Sequence, residues 1–310
     1  MSKRRVEEIR NYLVHKILNL LEDRELVKTQ VPGLFLSRSD SATAPTSYIL
    51  PASLCLVLQG AKRVFLGKEV YVYDANHFLI TSVDLPVTAQ VIDASKEKPY
   101  IGLRLEIDVS VLSQLIVDLG LDREDMRTYK GIAVGEVDEK LLDAFRRMVE
   151  LLEEPHHIPT LAPMVHREIL YRLLMCEQRG RLLQIAVAGT RGYQVMRAVE
   201  HLKRNFAKDL DVRELANSVG MSVASFYRHF QRMMGMTPLQ YLKKLRLCEA
   251  RRLILEGFDV TSVAYQVGYE SLSHFSKDYK SFFGVLPSQD LRRFQVEGRA
   301  RRTDSYSVQD

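Results

Sequence analysis

The chain is 310 residues long, 46% hydrophobic and 27% charged, with a net charge of +5. That length favours two domains, and the apolar content is ample for two cores. No apolar run approaches the length of a membrane span, and Met1 to Glu8 has no apolar signal core, so a cytoplasmic protein with no membrane partner is expected. Three cysteines, Cys55, Cys176 and Cys248, are odd in number and far apart, which argues against a disulfide framework or a zinc-binding spacing.

In chain order, residues 3–27 predict an amphipathic helix with Val6, Ile9, Leu13, Ile17 and Leu20 on one side. From about 33 to 107 the texture changes to eight short apolar runs broken by Gly, Pro, Asn and Asp, beginning at Leu34, Tyr48, Leu54, Lys62, Val70, His77, Val87 and Tyr100. Such spacing predicts a small β-barrel or sandwich. Helical patterns return over 108–186. One helix runs from Val109 to Leu119, and a second is capped by Asp138 and carries Leu141, Leu142, Phe145, Val149 and Leu152. A third, after the break at Pro155 to Pro159, is expected over 161–183. Its stripe of Leu161, Val165, Ile169 and Leu173 must pack against something; a second copy of the chain is the expected partner and the chain's own barrel the alternative. Gly189 to Gly192 is expected to link this first unit, residues 1–188, to the next.

The last third holds the strongest signal. Leu215-Ala-Asn-Ser-Val-Gly220 followed by Phe226, Phe230, Gly235 and Pro238 is a helix-turn-helix pattern, and it recurs. Ala264, Val267 and Gly268 answer Ala216, Val219 and Gly220 at an offset of 48; Phe275, Tyr279, Gly284 and Pro287 answer Phe226, Phe230, Gly235 and Pro238 at 49. One such turn is weak evidence, but two nearly in register are hard to obtain by chance. Asp211 and Ser222 are expected N-caps, and Gly220 supplies the positive φ of the turn. Thr237-Pro238 opens a long helix closed by Gly257. Its span of roughly 28 Å can join two recognition helices about one DNA turn apart. Charge agrees: residues 190–310 carry 20 Lys and Arg against 13 Asp and Glu, a net of +7, while the remainder carries 24 against 26, a net of −2.

These residues, from about Tyr193 to Phe294, resemble the AraC/XylS family of bacterial transcription regulators, with Gly268 to Ser288 as the most specific string. Lys277 and Tyr279 are mild departures, standing where arginine and phenylalanine are commoner. The block from Leu34 to about Cys176, with Val57 to Val64, Gly67, Tyr71 to Tyr73, Leu85 to Val87 and Pro99-Tyr100, resembles the family's cupin-like N-terminal domain. The resemblance implies an α+β protein: a cupin-like effector-sensing and dimerisation domain, a DNA-binding domain over 193–296 of two helix-turn-helix units joined by a long helix, and a basic, disordered tail over 297–310. It also implies double-stranded DNA and RNA polymerase as partners, together with a homodimer and an unidentified small-molecule effector.

For DNA contact the candidates are Ala224, Ser225, Tyr227, Arg228 and Gln231 in the first unit and Leu272, Ser273, His274, Ser276 and Lys277 in the second. Arg228 is favoured for guanine, which arginine bonds bidentately. Lys277 suits a base or a phosphate equally. Phe226, Phe230, Phe275 and Tyr279 have core spacing. For an effector the candidates are Tyr48, Gln59, Lys62, Tyr71, Tyr73, His77 and Arg104, about half of which should face inward by strand alternation. An inward Lys62 or Arg104 would favour an anionic or carbonyl ligand. No catalytic residue, metal or cofactor is expected. His77 is the lone histidine among the strands, there is no His-x-His pair, and neither a nucleophile elbow nor a P-loop is present. An enzyme with a DNA-binding tail and a barrel serving only protein contacts are the alternatives.

Overall fold

The computed structural model of the chain describes residues 2–22, 24–121 and 127–292. Helix α1 (Ser2–Leu21) buries Ile9, Leu13 and Ile17 on one side. It ends six residues short of the expected boundary. Glu22 turns the chain at φ 52, so that β1 (Leu26–Lys28) can form an edge strand.

Among the described residues, ten strands make two antiparallel sheets. The remaining strands are β2 (Leu34–Ser39), β3 (Thr46–Leu50), β4 (Ser53–Gln59), β5 (Ala61–Leu66), β6 (Glu69–Asp74), β7 (His77–Thr81), β8 (Leu85–Asp93), β9 (Tyr100–Glu106) and β10 (Ile132–Glu136). Their order is β1-β2-β9-β4-β7-β10 in one sheet and β3-β8-β5-β6 in the other. The eight runs read from the sequence are β2 to β9. Strands β1 and β10 were missed, because three residues and Ile-Ala-Val-Gly-Glu carry too little alternation. Strand β4 is buried from Ser53 to Leu58 without alternation. It is central in its sheet, with the interior on one face and α1 packed on the other.

Helices α2 (Val109–Asp118) and α3 (Glu139–Glu150) start at Asp108 and Asp138, whose carboxylates accept from the first free backbone amides. The single helix expected over 161–183 is instead two, α4 (Ile158–Leu174) and α5 (Arg179–Ala186). The break turns α5 so that Gln184 bonds both backbone groups of Tyr129, at 2.8 and 3.3 Å. The expected dimer stripe on α4 is also corrected. Ile169 is 0% and Leu173 1% exposed, and Val165 is buried with them in the chain's own core; of the four only Leu161 is exposed.

The linker is shorter than expected. Thr190 caps α6 (Arg191–Arg204), so Arg191 and Gly192 are already helical. Then follow α7 (Val212–Ser218), α8 (Val223–Met234), α9 (Pro238–Leu255), α10 (Val260–Gln266) and α11 (Leu272–Phe283). One core runs from α1 through both sheets into α6, α7, α8 and the first part of α9, ending at Leu242. A second starts at Leu247 and holds α10 and α11. The helical part is docked on the strands. Met233 O accepts from Gly131 N at 2.7 Å, Lys203 pairs with Asp84 at 2.7 Å, and Tyr241 Oη donates to Asp84 O at 3.2 Å. The tail over 297–310 lies outside the described residues.

Candidate nucleic-acid interface and barrel pocket

The first helix-turn-helix unit is assembled by its caps and one buried face. Asp211 accepts from Arg213 N and Glu214 N, and Ser222 from Ser225 N. Gly220 makes the turn at φ 72. Leu215 and Ala216 of α7 bury against Phe226, Phe230, Met233 and Met234 of α8. Outward on α8 are Ala224, Arg228 and Gln231, exposed at i, i+4 and i+7, with Ser225 and Tyr227 half-buried beside them and Val223 and Arg232 exposed at its two ends.

The second unit repeats this with Asp259 and Ser271 as caps, Gly268 at φ 92, and Phe275 and Tyr279 buried. Ser273, His274 and Lys277 are exposed and Ser276 is half-buried. Leu272 departs from the expected outward face: it leans on the second core, as an apolar side chain at the first turn of a docked helix should. Neither Arg228 nor Lys277 makes an ion pair among the described residues. Both outward faces therefore present a cation with its hydrogen-bonding capacity unspent, the requirement for contacts to base edges or phosphates.

The barrel interior holds a cavity of about 370 Å³. Of the expected effector residues, Tyr48, Lys62, Tyr73 and Arg104 line it. Three do not. Gln59 donates to Pro99 O at 2.7 Å, Tyr71 to Glu69 at 2.5 Å, and His77 sits 2.7 Å from Asp74 in a separate hollow with Val6 and Arg10 of α1. Their hydrogen-bonding groups are satisfied locally, and their strands place them beyond the cavity. Cys55, Tyr100, Phe35 and Ser37 line it and were missed. Strand register is the signal that finds them: Phe35, Arg104 and Cys55 are direct cross-strand neighbours on β2, β9 and β4, so an inward Arg104 brings the other two with it.

The chemistry of the cavity is uneven. Burial opposes the charge on Lys62, but the hydrogen bond to the Tyr48 hydroxyl and the face of the Tyr100 ring, 5.9 Å from the ammonium, favour it, and its pKa is raised. Burial raises the pKa values of Tyr73, Tyr100 and Cys55, keeping all three neutral at pH 7. Arg104 at the mouth is compensated by Glu106 at 2.9 Å and lies over the Phe35 ring. No Asp or Glu lines the cavity among the described residues, so Lys62 is a half-buried cation facing a largely apolar chamber without a counter-ion. Among the described residues, no three His, Cys, Asp or Glu side chains gather as metal ligands would.

Comparison with known proteins matches both parts. The family profile of the AraC-type transcriptional regulator N-terminus covers residues 30–181, and that of a helix-turn-helix domain covers 215–293. A probable thc operon regulatory protein of Rhodococcus erythropolis is 39% identical over 101 residues, 31% of this chain and 30% of that protein. The HTH-type transcriptional activator RhaS of Salmonella schwarzengrund is 28% identical over 159 residues, 51% of this chain and 56% of that one. The chain thus spans between about a third and somewhat over half of these curated relatives. A crystal structure of ToxT from Vibrio cholerae with an unsaturated fatty acid bound superposes with a TM-score of 0.55 at 12% identity, covering 84% of this chain and 93% of that one. At that identity the likeness shows the fold alone, a β-rich N-terminal domain with helices followed by a helical domain of helix-turn-helix units.

Proposed function

The chain belongs to the AraC-type transcriptional regulators, and from that premise we propose that it binds DNA sequence-specifically, with α8 and α11 entering successive major grooves, under the control of a small organic acid held in the barrel. The observation that carries the DNA reading is the duplicated unit itself, two capped recognition helices each turning outward a stripe with an unpaired cation. The activity is binding rather than catalysis. We further propose that the protein works in the cytoplasm as a homodimer and acts on transcription through RNA polymerase.

The acid is inferred from Lys62. A half-buried ammonium facing the cavity among neutral phenols, with no carboxylate among the described lining residues, is best matched by a ligand that brings one negative group and an apolar body. The fatty acid in the ToxT structure is consistent with that class. The test titrates decanoate, with decanol as its uncharged comparator, into the full-length protein and follows thermal stability and DNA affinity. Decanoate is expected to stabilise the protein and shift DNA affinity, decanol to do so at least about tenfold less well. Lys62→Gln should erase the preference. Equal effects of acid and alcohol on the natural chain would overturn the acid reading and leave the DNA reading intact.

A further inference from the structure

Arg246 stands where α9 leaves one core and enters the other: Leu245 packs on the first, Leu247 on the second. Its guanidinium donates to three backbone carbonyls. Nε reaches Phe206 O at 2.7 Å, one terminal nitrogen Lys208 O at 2.8 Å, and the other Gly268 O at 2.8 Å. Phe206 and Lys208 lie in the segment between α6 and α7, which belongs to the first helix-turn-helix unit. Gly268 is the turn of the second.

The contact is close on every side. A Cβ on Gly268 would lie 2.5 Å from Ala207 O and 2.9 Å from the Arg246 guanidinium, so the second turn rests directly on the first unit. Apolar packing alone leaves the two units weakly bound in orientation, since the cores are separate and, among the described residues, Phe206 is the apolar side chain that packs on both. Hydrophobic contact is non-directional. A planar guanidinium with three fixed donors is directional. We propose that Arg246 is a positioning residue that sets the rotation of α11 relative to α8, and so the spacing of the two half-sites that one chain can read.

The inference rests on the DNA-binding reading above. One base pair inserted between half-sites moves the second by about 3.4 Å and turns it by roughly 34°, which a rigid pair of helices cannot follow and a loosened pair can. The probe is a duplex selected from a randomised library by the full-length protein, together with derivatives carrying one base pair more or less between the half-sites. The natural chain should lose at least about tenfold in affinity on either shifted duplex. Arg246→Ala should bind the parent duplex more weakly but discriminate against shifted spacings by less than about threefold. Arg246→Lys, which keeps the charge but cannot span three carbonyls, should behave in the same way and covers the case in which the alanine variant does not fold. Arg252→Ala, an exposed change on the same helix, should keep the natural discrimination. If parent and shifted duplexes weaken by one common factor in the Arg246 variants, the proposal is wrong. If the natural chain selects no duplex at all, the DNA-binding reading fails instead.

Discussion

Arg228 shares its stripe on α8 with Ala224 and Gln231, two side chains too short or too neutral to hold it, and it makes no ion pair among the described residues. A guanidinium so placed is available for a guanine edge in the major groove. Arg228→Ala is expected to remove roughly 1–3 kcal/mol of discrimination at one base pair. Competition binding over single-base variants of a selected duplex reads this directly, and uniform weakening across all variants would make Arg228 a phosphate contact. Lys62 is the counterpart in the barrel. Its role depends on being, among the described residues, the one ammonium facing a chamber whose other ionisable groups are held neutral or compensated.

Helix α4 shows how one element carries two faces. Val165, Ile169 and Leu173 are buried in the chain's own core, while Leu161, Met164, Tyr171 and Met175 form an outward apolar stripe on another side, with Met164 64% exposed. Apolar side chains grouped this way on a helix mark a contact surface. For the proposed homodimer, this outward stripe replaces the buried one as the contact. Met164→Glu with Tyr171→Glu should give a folded monomer in sedimentation, whereas Val165→Glu with Ile169→Glu should unfold the N-terminal domain by burying uncompensated charge. A double Met164, Tyr171 variant that remains a dimer would place the interface elsewhere.

At the scale of the molecule, the first helix-turn-helix unit shares a core with the barrel, so a change in the chamber has a continuous packed path to α8. One contact on that path is sensitive to pH. Thr128 Oγ1 lies 2.7 Å from His229 Nδ1 at the junction. Burial lowers the His229 pKa, and the positive charges of Arg228, Arg191 and Arg232 lower it further. The docked fold therefore favours neutral His229, and the released or unfolded chain binds a proton that the docked one does not. Above the ordinary histidine value of 6.5 the contact keeps its full stabilisation; as pH falls below that value, the stabilisation is progressively lost. The natural chain should accordingly lose more thermal stability than His229→Gln between about pH 7.5 and pH 5.5. Parallel curves for the two proteins would remove His229 from the account.

The sequence by itself determined the elements whose signals are local. Asp138, Asp211 and Ser222 cap helices because a short polar side chain reaches its own helix's free amides. Gly220 and Gly268 mark turns because the backbone there needs positive φ. The duplicated pattern was legible for the same reason, since each copy is a self-contained run of residues. The tertiary structure alone decided what depends on partners distant in the chain. Whether Tyr73 or Tyr71 reaches the chamber is set by register and strand ends, and Cys55 faces it because it pairs with Arg104 across β4 and β9. The same holds for α4, where apolar periodicity marked a buried face but could not say against what it buries. Arg246 is the clearest case. In sequence it is one more basic residue on a basic helix, and its three carbonyl partners lie 38, 40 and 22 residues away.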